Sequence, residues 1–221
     1  MINILLEGYN IDAPYLYDEL KQILLPHHTV VVVAFSFRDD RIRDSTEWYA
    51  LYGAGGFYYN GIVDSFGSYG IPEDRITFLN YFSDTKETAR KKVENADILY
   101  FLGGLPDRMM QRIEEFELQE ALAKHDGIAM GYSAGAVIQL AEYHLSPDED
   151  YPAFGYYRGL PYLDGFYHEV HYEGTPDQNR SIQKVLAERK KPVYATASMQ
   201  GAILVKNGEI KLLGNVKIFK P

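Results

Sequence analysis

Short apolar runs alternate with longer mixed segments along most of the chain. The runs are rich in β-branched and aromatic residues and predict strands at residues 2–6, 29–35, 75–79, 98–102 and 128–132. The mixed segments predict helices over residues 13–25, 45–69 with a break at 53–56, 84–95 and 106–124. Strands that alternate with helices in this way indicate parallel βαβ units, so the pattern predicts an α/β fold.

The second half of the chain has a different composition and hydrophobic pattern. Residues 146–174 are rich in Pro, Gly and Tyr and predict a long excursion of loops and short strands. A helix is predicted over 177–189, followed by strands at residues 193–197, 202–206 and 210–213. Asn207-Gly208 lies between the last two strands and predicts a β-hairpin. Because no linker or repeat divides the chain, we expect one domain over residues 1–221.

Composition removes several classes of function. The formal net charge of −9 opposes binding to nucleic acid. The absence of cysteine excludes disulfides, thiolate catalysis and cysteine metal sites. The chain has neither a basic leader nor an apolar run long enough for a membrane helix, so we expect a cytoplasmic protein without membrane contact.

One glycine-rich motif carries the strongest chemical signal. Gly131-Tyr132-Ser133-Ala134-Gly135 is a G-x-S-x-G between a predicted strand and a predicted helix. This context is typical of a nucleophile elbow, where a sharp turn exposes the serine hydroxyl. Gly103-Gly104 follows another predicted strand, and its backbone N–H groups would form an oxyanion hole with the N–H of Ala134. The two motifs predict a serine hydrolase.

A serine nucleophile needs a base, which is normally a histidine. His144 is expected near the far end of the helix after Ser133, and therefore on the surface. His168 and His171 lie in one short segment, where strand alternation would place them on opposite faces. Spacing alone leaves the choice between these two open. It also leaves open the acidic partner of the base among Asp148, Glu149, Asp150, Asp164 and Glu169.

Together these motifs resemble the dipeptidase E and cyanophycinase family of serine peptidases. The resemblance runs nearly end to end and depends on residues 97–104, 131–136, 170–172 and 201–208. It implies a flavodoxin-like, class I glutamine-amidotransferase-like fold, which is a three-layer sandwich with a mostly parallel central sheet and a C-terminal β-hairpin. It also implies a peptidase that cleaves small peptides or amide-linked amino-acid polymers without a metal or organic cofactor.

The resemblance assigns roles by position. Ser133 corresponds to the nucleophile and His171 to the general base, which decides between the two neighbouring histidines. The backbone N–H groups of Gly104 and Ala134 correspond to the oxyanion donors.

The third catalytic member is ambiguous in this chain. Asp148 stands fifteen residues after the serine, where dipeptidase E-like proteins have an aspartate. Gln200 stands where a rival family glutamate would be, and a neutral amide would stabilise the imidazolium less than a carboxylate does. The family recognises an N-terminal aspartate with an arginine in the helix after the histidine. Arg180 is the nearest arginine to that position, but it is several residues closer to the histidine than the family arginine is. We therefore do not transfer the aspartyl specificity.

Two other functions stay open. An α/β-hydrolase esterase shares the elbow, but it would have its histidine near the C-terminus. A catalytically impaired family member that only binds a ligand is motivated by Gln200. The oligomeric state also stays open, with a homodimer as one alternative.

Overall fold

The computed structural model describes all 221 residues and contains ten strands and eight α-helices. The strands are β1 (Ile2–Leu6), β2 (Val30–Val33), β3 (Ile76–Leu79), β4 (Ile98–Phe101), β5 (Ile128–Tyr132), β6 (Glu142–Leu145), β7 (Gly155–Arg158), β8 (Tyr167–Glu169), β9 (Val193–Lys206) and β10 (Glu209–Phe219). The helices are α1 (Pro14–Leu20), α2 (Ser45–Tyr52), α3 (Phe57–Gly67), α4 (Lys86–Glu94), α5 (Pro106–Glu115), α6 (Gln119–Ala123), α7 (Ala134–Val137) and α8 (Pro176–Arg189).

The central sheet is mostly parallel. Its strand order is β10-β9-β1-β5-β4-β2-β3, and β8 pairs with the first part of β9. Strands β1, β5, β4, β2 and β3 run parallel to one another, whereas β9 is antiparallel to both β1 and β10. Strands β6 and β7 form a separate two-stranded sheet. The predicted α/β class, the parallel sheet and the C-terminal hairpin are confirmed.

Helices cover both faces of the sheet because the strands are apolar on both sides. Ile4 and Met130 belong to the core beneath α1, α2 and α3. Leu5 and Phe101 belong to the opposite core, beneath α4, α5, α6 and α7. Helix α8 packs its buried Ile182 against β8 and β9 in a third, smaller core. The result is the expected three-layer sandwich.

Several helices begin at a residue suited to that position. The Asp44 side chain accepts the backbone N–H of Glu47 at 2.9 Å at the start of α2. Thr85 and Thr175 each form a capping box at the starts of α4 and α8. These side chains satisfy N–H groups that lack a partner inside the helix. Pro106 begins α5, where its missing N–H costs no hydrogen bond.

Some predicted boundaries are wrong. The predicted helix over 106–124 is two helices, because the chain turns at Glu117, which has a φ of 53°. The strands predicted at 193–197 and 202–206 are parts of one strand, β9, whose irregular middle contains Ser198 and Met199 at positive φ. Pairing with β10 holds the two parts of β9 in one element. None of the helices combines the length and the apolarity that crossing a membrane requires.

The helix after Ser133 is also much shorter than predicted. It ends at Val137, and the chain turns back into β6. His144 therefore lies in β6 rather than at a helix end, and it is buried, with 2% of its surface exposed. The expectation of a surface position was wrong.

Candidate active site

Ser133 lies at a sharp turn between β5 and α7. Its backbone has a φ of 51° and a ψ of −116°, a conformation that residues with a Cβ adopt only at a cost in energy. A Cβ on Gly135 would overlap the carbonyl group of Phe101 in β4, and a Cβ on Gly131 would overlap the carbonyl group of Gly135. The two glycines of the motif therefore allow the tight turn that exposes the serine.

Buried hydrogen bonds hold this turn against the first strand. The N–H of Ser133 donates to the carbonyl oxygen of Leu6 at 3.1 Å. The buried side chain of Gln139 donates to the carbonyl oxygens of Gly135 at 3.2 Å and Ile4 at 3.3 Å. Because an unpaired amide inside the core is costly, these bonds favour one arrangement of the turn.

His171 is the histidine that reaches the serine. Its Nε2 lies 2.8 Å from Oγ of Ser133, and about half of its side chain is exposed. The residue lies just beyond β8 and has a φ of 53°. The Tyr172 N–H donates to the Thr196 carbonyl at 2.8 Å, and the Gln178 side chain donates to the His171 carbonyl at 2.8 Å. These bonds tie the histidine loop to β9 and α8.

A carboxylate lies against the other ring nitrogen of His171, and it belongs to Glu7. The Nδ1 of His171 is 3.4 Å from Oε1 of Glu7, whose side chain is only 2% exposed. Glu7 directly follows β1, and its N–H donates to the Gly201 carbonyl at 2.9 Å. Burial raises the pKa of Glu7, but polar contacts with the side chains of His171 and Thr196 and the nearby charges of His171 and His168 together outweigh burial and lower the pKa below its ordinary value. The site therefore favours an ionised Glu7.

Two backbone N–H groups near Ser133 have no acceptor within the chain and are available to an oxygen of a ligand. Gly104 has a φ of 138°, and a Cβ there would overlap the carbonyl group of Ser36. The Ser36 hydroxyl donates to the Gly103 carbonyl at 2.6 Å, and the Leu105 N–H donates to the Ser36 carbonyl at 2.8 Å. Neither the Gly104 N–H nor the Ala134 N–H donates to an acceptor within the chain. Both follow the carboxyl ends of neighbouring strands.

The structure does not bring Asp148 or Gln200 into hydrogen-bond contact with His171. Asp148 is exposed, and its carboxylate accepts the N–H groups of Asp150 at 2.8 Å and Tyr151 at 2.7 Å. This carboxylate organises its own turn. Gln200 is exposed in the irregular middle of β9.

Arg180 forms no hydrogen bond or ion pair with Ser133 or His171. It is exposed on α8 and forms an ion pair with Asp177 on the same helix. An exposed pair of this kind is screened by water and contributes little to stability.

Glu7 is the functional candidate that the sequence reasoning missed. Its signal in the sequence is an acidic residue directly after the apolar run of β1 and before Gly8. Polar groups at the carboxyl ends of parallel strands converge on the ligand crevice, so this position is informative once the sheet order is known. The sequence does not give this strand order, because β1 and β5 become neighbours only in the folded sheet.

The remaining histidines of this region are buried. His168 lies in β8 and is fully buried, with Nε2 3.0 Å from Oγ1 of Thr196. Burial lowers the pKa of His168 to about 3, so the ring is neutral. The Nε2 of His144 is 2.6 Å from Oε2 of Glu169, and both side chains are buried. No group of histidine and acidic side chains has the arrangement of a metal site.

Comparisons with known proteins are consistent with this fold. A sequence profile of peptidase family S51 matches residues 49–213, and no curated protein matches the chain significantly. A candidate peptidase E of Listeria monocytogenes EGD-e superposes with a TM-score of 0.65 at 20% identity, covering 96% of each chain. A peptidase from an acI-B1 Actinobacterium superposes with a TM-score of 0.60 at 16% identity, covering 99% of this chain and 89% of the other. At these identities the two structures show a shared fold.

Because the family profile spans most of the chain, the protein belongs to peptidase family S51, which supports a serine-type peptidase acting on peptides.

Proposed function

We propose that the protein hydrolyses amide bonds of small peptides, or of amide-linked amino-acid polymers, through an acyl-enzyme on Ser133. The observation that carries this proposal is the 2.8 Å contact between Ser133 Oγ and His171 Nε2, with Glu7 at 3.4 Å from the opposite ring nitrogen. A hydroxyl, an imidazole and a carboxylate in this order form the apparatus that activates a serine.

The first half of the reaction forms the acyl-enzyme. Ser133 Oγ attacks the carbonyl carbon of the substrate while His171 Nε2 takes the hydroxyl proton. The oxyanion that forms accepts hydrogen bonds from the N–H groups of Gly104 and Ala134. The carbon–nitrogen bond then breaks, and His171 returns the proton to the leaving amine. The acyl group stays on Ser133 as an ester.

The second half of the reaction releases the acid. A water molecule gives a proton to His171 Nε2 and attacks the ester carbon. When the ester bond breaks, His171 returns that proton to Ser133 Oγ. The enzyme is regenerated, and one amide bond has been exchanged for an acid and an amine.

Glu7 fills the role for which Asp148 and Gln200 were the sequence-based candidates. An ionised Glu7 fixes the ring of His171 with a proton on Nδ1 and stabilises the imidazolium that forms during the reaction. Its lowered pKa supports this role, because the carboxylate is charged at neutral pH. A charged partner also removes the reason to expect an impaired enzyme from Gln200. Membership in family S51 favours a peptidase over the esterase alternative.

Labelling with a fluorophosphonate probe tests the nucleophile. The wild-type chain is expected to be labelled, and Ser133→Ala is expected to lose the label. Ser68→Ala serves as a matched control, because Ser68 is an exposed serine at the end of α3. Release of amino acids from a dipeptide library, compared with turnover of aryl esters, tests the peptidase assignment. Equal labelling of wild type and Ser133→Ala would sink the proposal.

A further inference from the structure

An aromatic pocket of about 450 Å³ lies beside the elbow. Three tyrosines line it from the carboxyl-end side of the sheet, and α3 lines it from above. The aromatic and aliphatic residues of this aromatic pocket are Tyr9, Tyr100, Tyr132, Phe57, Tyr58 and Ile62, and its lining is completed by Asn60, Gly61 and Ser65. The volume falls within the range of small-molecule binding sites, which is about 300 to 1,000 Å³.

The aromatic pocket adjoins the candidate catalytic groups along the chain and in space. Tyr132 directly precedes Ser133, and its ring lies so close to Gly103 that a Cβ there would overlap it. Tyr9 follows Glu7 by two residues, and its ring contacts the ring of Tyr132 edge to face at 6.1 Å. The wall of the pocket is therefore continuous with the elbow and with the loop after β4.

A second cavity, of about 270 Å³, adjoins the site at His171. His171 lines this cavity together with polar residues such as Asp148 and Gln178, and the two cavities share no residue. In the proposed reaction His171 gives its proton to the leaving amine, so the leaving group lies on the His171 side. The residue that supplies the acyl group then lies on the opposite side, towards Tyr132.

The chemistry of the aromatic pocket selects its occupant. No acidic, basic or histidine side chain lines it, and its polar groups are tyrosine hydroxyls and the side chains of Asn60 and Ser65. A carboxylate or an ammonium group inside would lose its water without gaining a counter-ion. Aromatic rings offer stacking and edge contacts to an apolar group. Phe57 stands at this pocket with 77% of its surface exposed, an arrangement typical of binding surfaces rather than cores.

We propose that the aromatic pocket binds an uncharged, large apolar side chain, aromatic or aliphatic, on the substrate residue that supplies the acyl carbonyl. This inference rests on the proposed function, because the acyl side is defined by Ser133 and His171. It also gives the substrate class: peptides with phenylalanine-like or leucine-like residues before the cleaved bond. An acidic residue at that position is rejected.

Gly61 allows a direct test of the pocket. It lies in α3, lines the pocket, and a Cβ on it would have no atom within 4 Å. Gly61→Phe therefore fills the pocket without disturbing the core, and a helix interior favours a side chain over glycine. Gly67→Phe is the matched control. Gly67 lies in the same helix with equally open space at its Cβ, but it does not line the pocket.

The experiment compares kcat/KM for dipeptides X-Ala and their N-acetylated forms, with X as Phe, Leu, Ala or Asp. We expect the wild type to favour Phe and Leu over Asp by about 10- to 100-fold. The ratio of Phe to Ala activity should fall by about tenfold in Gly61→Phe and stay unchanged in Gly67→Phe. Preference for Asp, or equal ratios in the two variants, overturns the proposal. A change of oligomeric state in Gly61→Phe with unchanged selectivity would assign the pocket to an interface between copies, and would also overturn it.

A binding measurement separates failure of this inference from failure of the proposed function. If the wild type turns over no substrate, the proposed function fails. Calorimetric titration with N-acetyl-phenylalanine amide then tests the pocket alone. Binding that weakens at least about tenfold in Gly61→Phe, but not in Gly67→Phe, supports the pocket. The absence of binding to the wild type, or equal binding to both variants, overturns it.

Discussion

The molecule contains two histidine–carboxylate pairs, and they differ in distance and exposure. In one pair, His171 is half-exposed and lies 3.4 Å from the buried Glu7. In the other, His144 and Glu169 are both buried, and the two side chains are 2.6 Å apart. Only the buried pair is joined by a hydrogen bond, so the quality of the pairing alone does not identify the site that we propose as catalytic.

The position of a serine hydroxyl separates the two pairs. Ser133 Oγ lies against the ring nitrogen of His171 that faces away from the carboxylate. Ser146 Oγ instead donates to the carboxylate of Glu169 at 2.8 Å, on the same oxygen that His144 contacts. His144 thus has no hydroxyl to deprotonate. In one region a histidine lies between a serine and a carboxylate, and in the other the carboxylate lies between a serine and a histidine.

The backbone conformations of the two regions also differ. Ser133 and His171 both have positive φ, whereas Ser146 and His144 do not. Such conformations cost energy and are found preferentially at functional sites. The pair that we propose as catalytic is therefore the strained one, and the structural pair lies in ordinary strand and loop geometry.

The largest expected effect comes from removing the charge of the pair that we propose as catalytic. Glu7→Gln keeps the size of the side chain but loses the ionised partner of His171. We expect kcat/KM on a cleaved peptide to fall by roughly 10³- to 10⁴-fold with the fold retained. Glu209→Gln, at an exposed position in β10 that lines neither cavity, is the control and should change kcat/KM by less than about threefold. Retention of activity within tenfold in Glu7→Gln would remove Glu7 from the mechanism.

Breaking the structural pair should affect stability and leave catalysis intact. His144→Phe leaves the buried carboxylate of Glu169 without its strongest partner. We expect the free energy of unfolding to fall by about 3 kcal/mol, as measured by chemical denaturation. Replacing the pair with apolar residues, as in His144→Phe with Glu169→Leu, should recover much of that loss. A large drop in kcat for folded His144→Phe would contradict the division between the pairs.

His168 interacts electrostatically with groups of both pairs and should make the fold sensitive to acid. Burial lowers the pKa of His168 from 6.5 to about 3, so between these values the unfolded chain binds a proton that the folded chain does not. Stability should therefore fall as pH drops below about 6.5, by about 2 to 3 kcal/mol down to pH 4.5. His168→Gln should flatten this part of the curve, whereas His27→Gln on the surface should not. An unchanged curve in His168→Gln would contradict the burial argument.

The smallest effects are expected at the two residues that the sequence offered as partners of His171. Asp148→Asn and Gln200→Ala should each change kcat/KM by less than about threefold, because neither side chain contacts His171 in the folded chain. The measurement uses the same peptide as for Glu7→Gln. A loss of a hundredfold or more in either variant would restore the sequence-based assignment.

Elements with strong local patterns were predictable. The apolar runs predicted β1 and β5 at their observed bounds, and Pro106 marked the start of α5. Periodicity did not predict that α7 would stop after one turn, because the segment from α7 into β6 is held by backbone hydrogen bonds to residues 159–163, which follow about twenty residues later. It also placed His144 on the surface, whereas the structure shows His144 as a buried residue of β6.

The sequence by itself determined the α/β class, the elbow at Ser133 and the glycine turn at Gly104, since each depends on residues close together in the chain. Only the tertiary structure decided which groups meet at the elbow. Strand β1 pairs with β5 and β9, and this pairing places Glu7, at the carboxyl end of β1, close to Ser133 and His171. The contact between Glu7 and His171 joins residues far apart in sequence, so no local pattern encodes it. No local pattern encodes the aromatic pocket either, because its walls come from α3 and from three separate segments that contain Tyr9, Tyr100 and Tyr132.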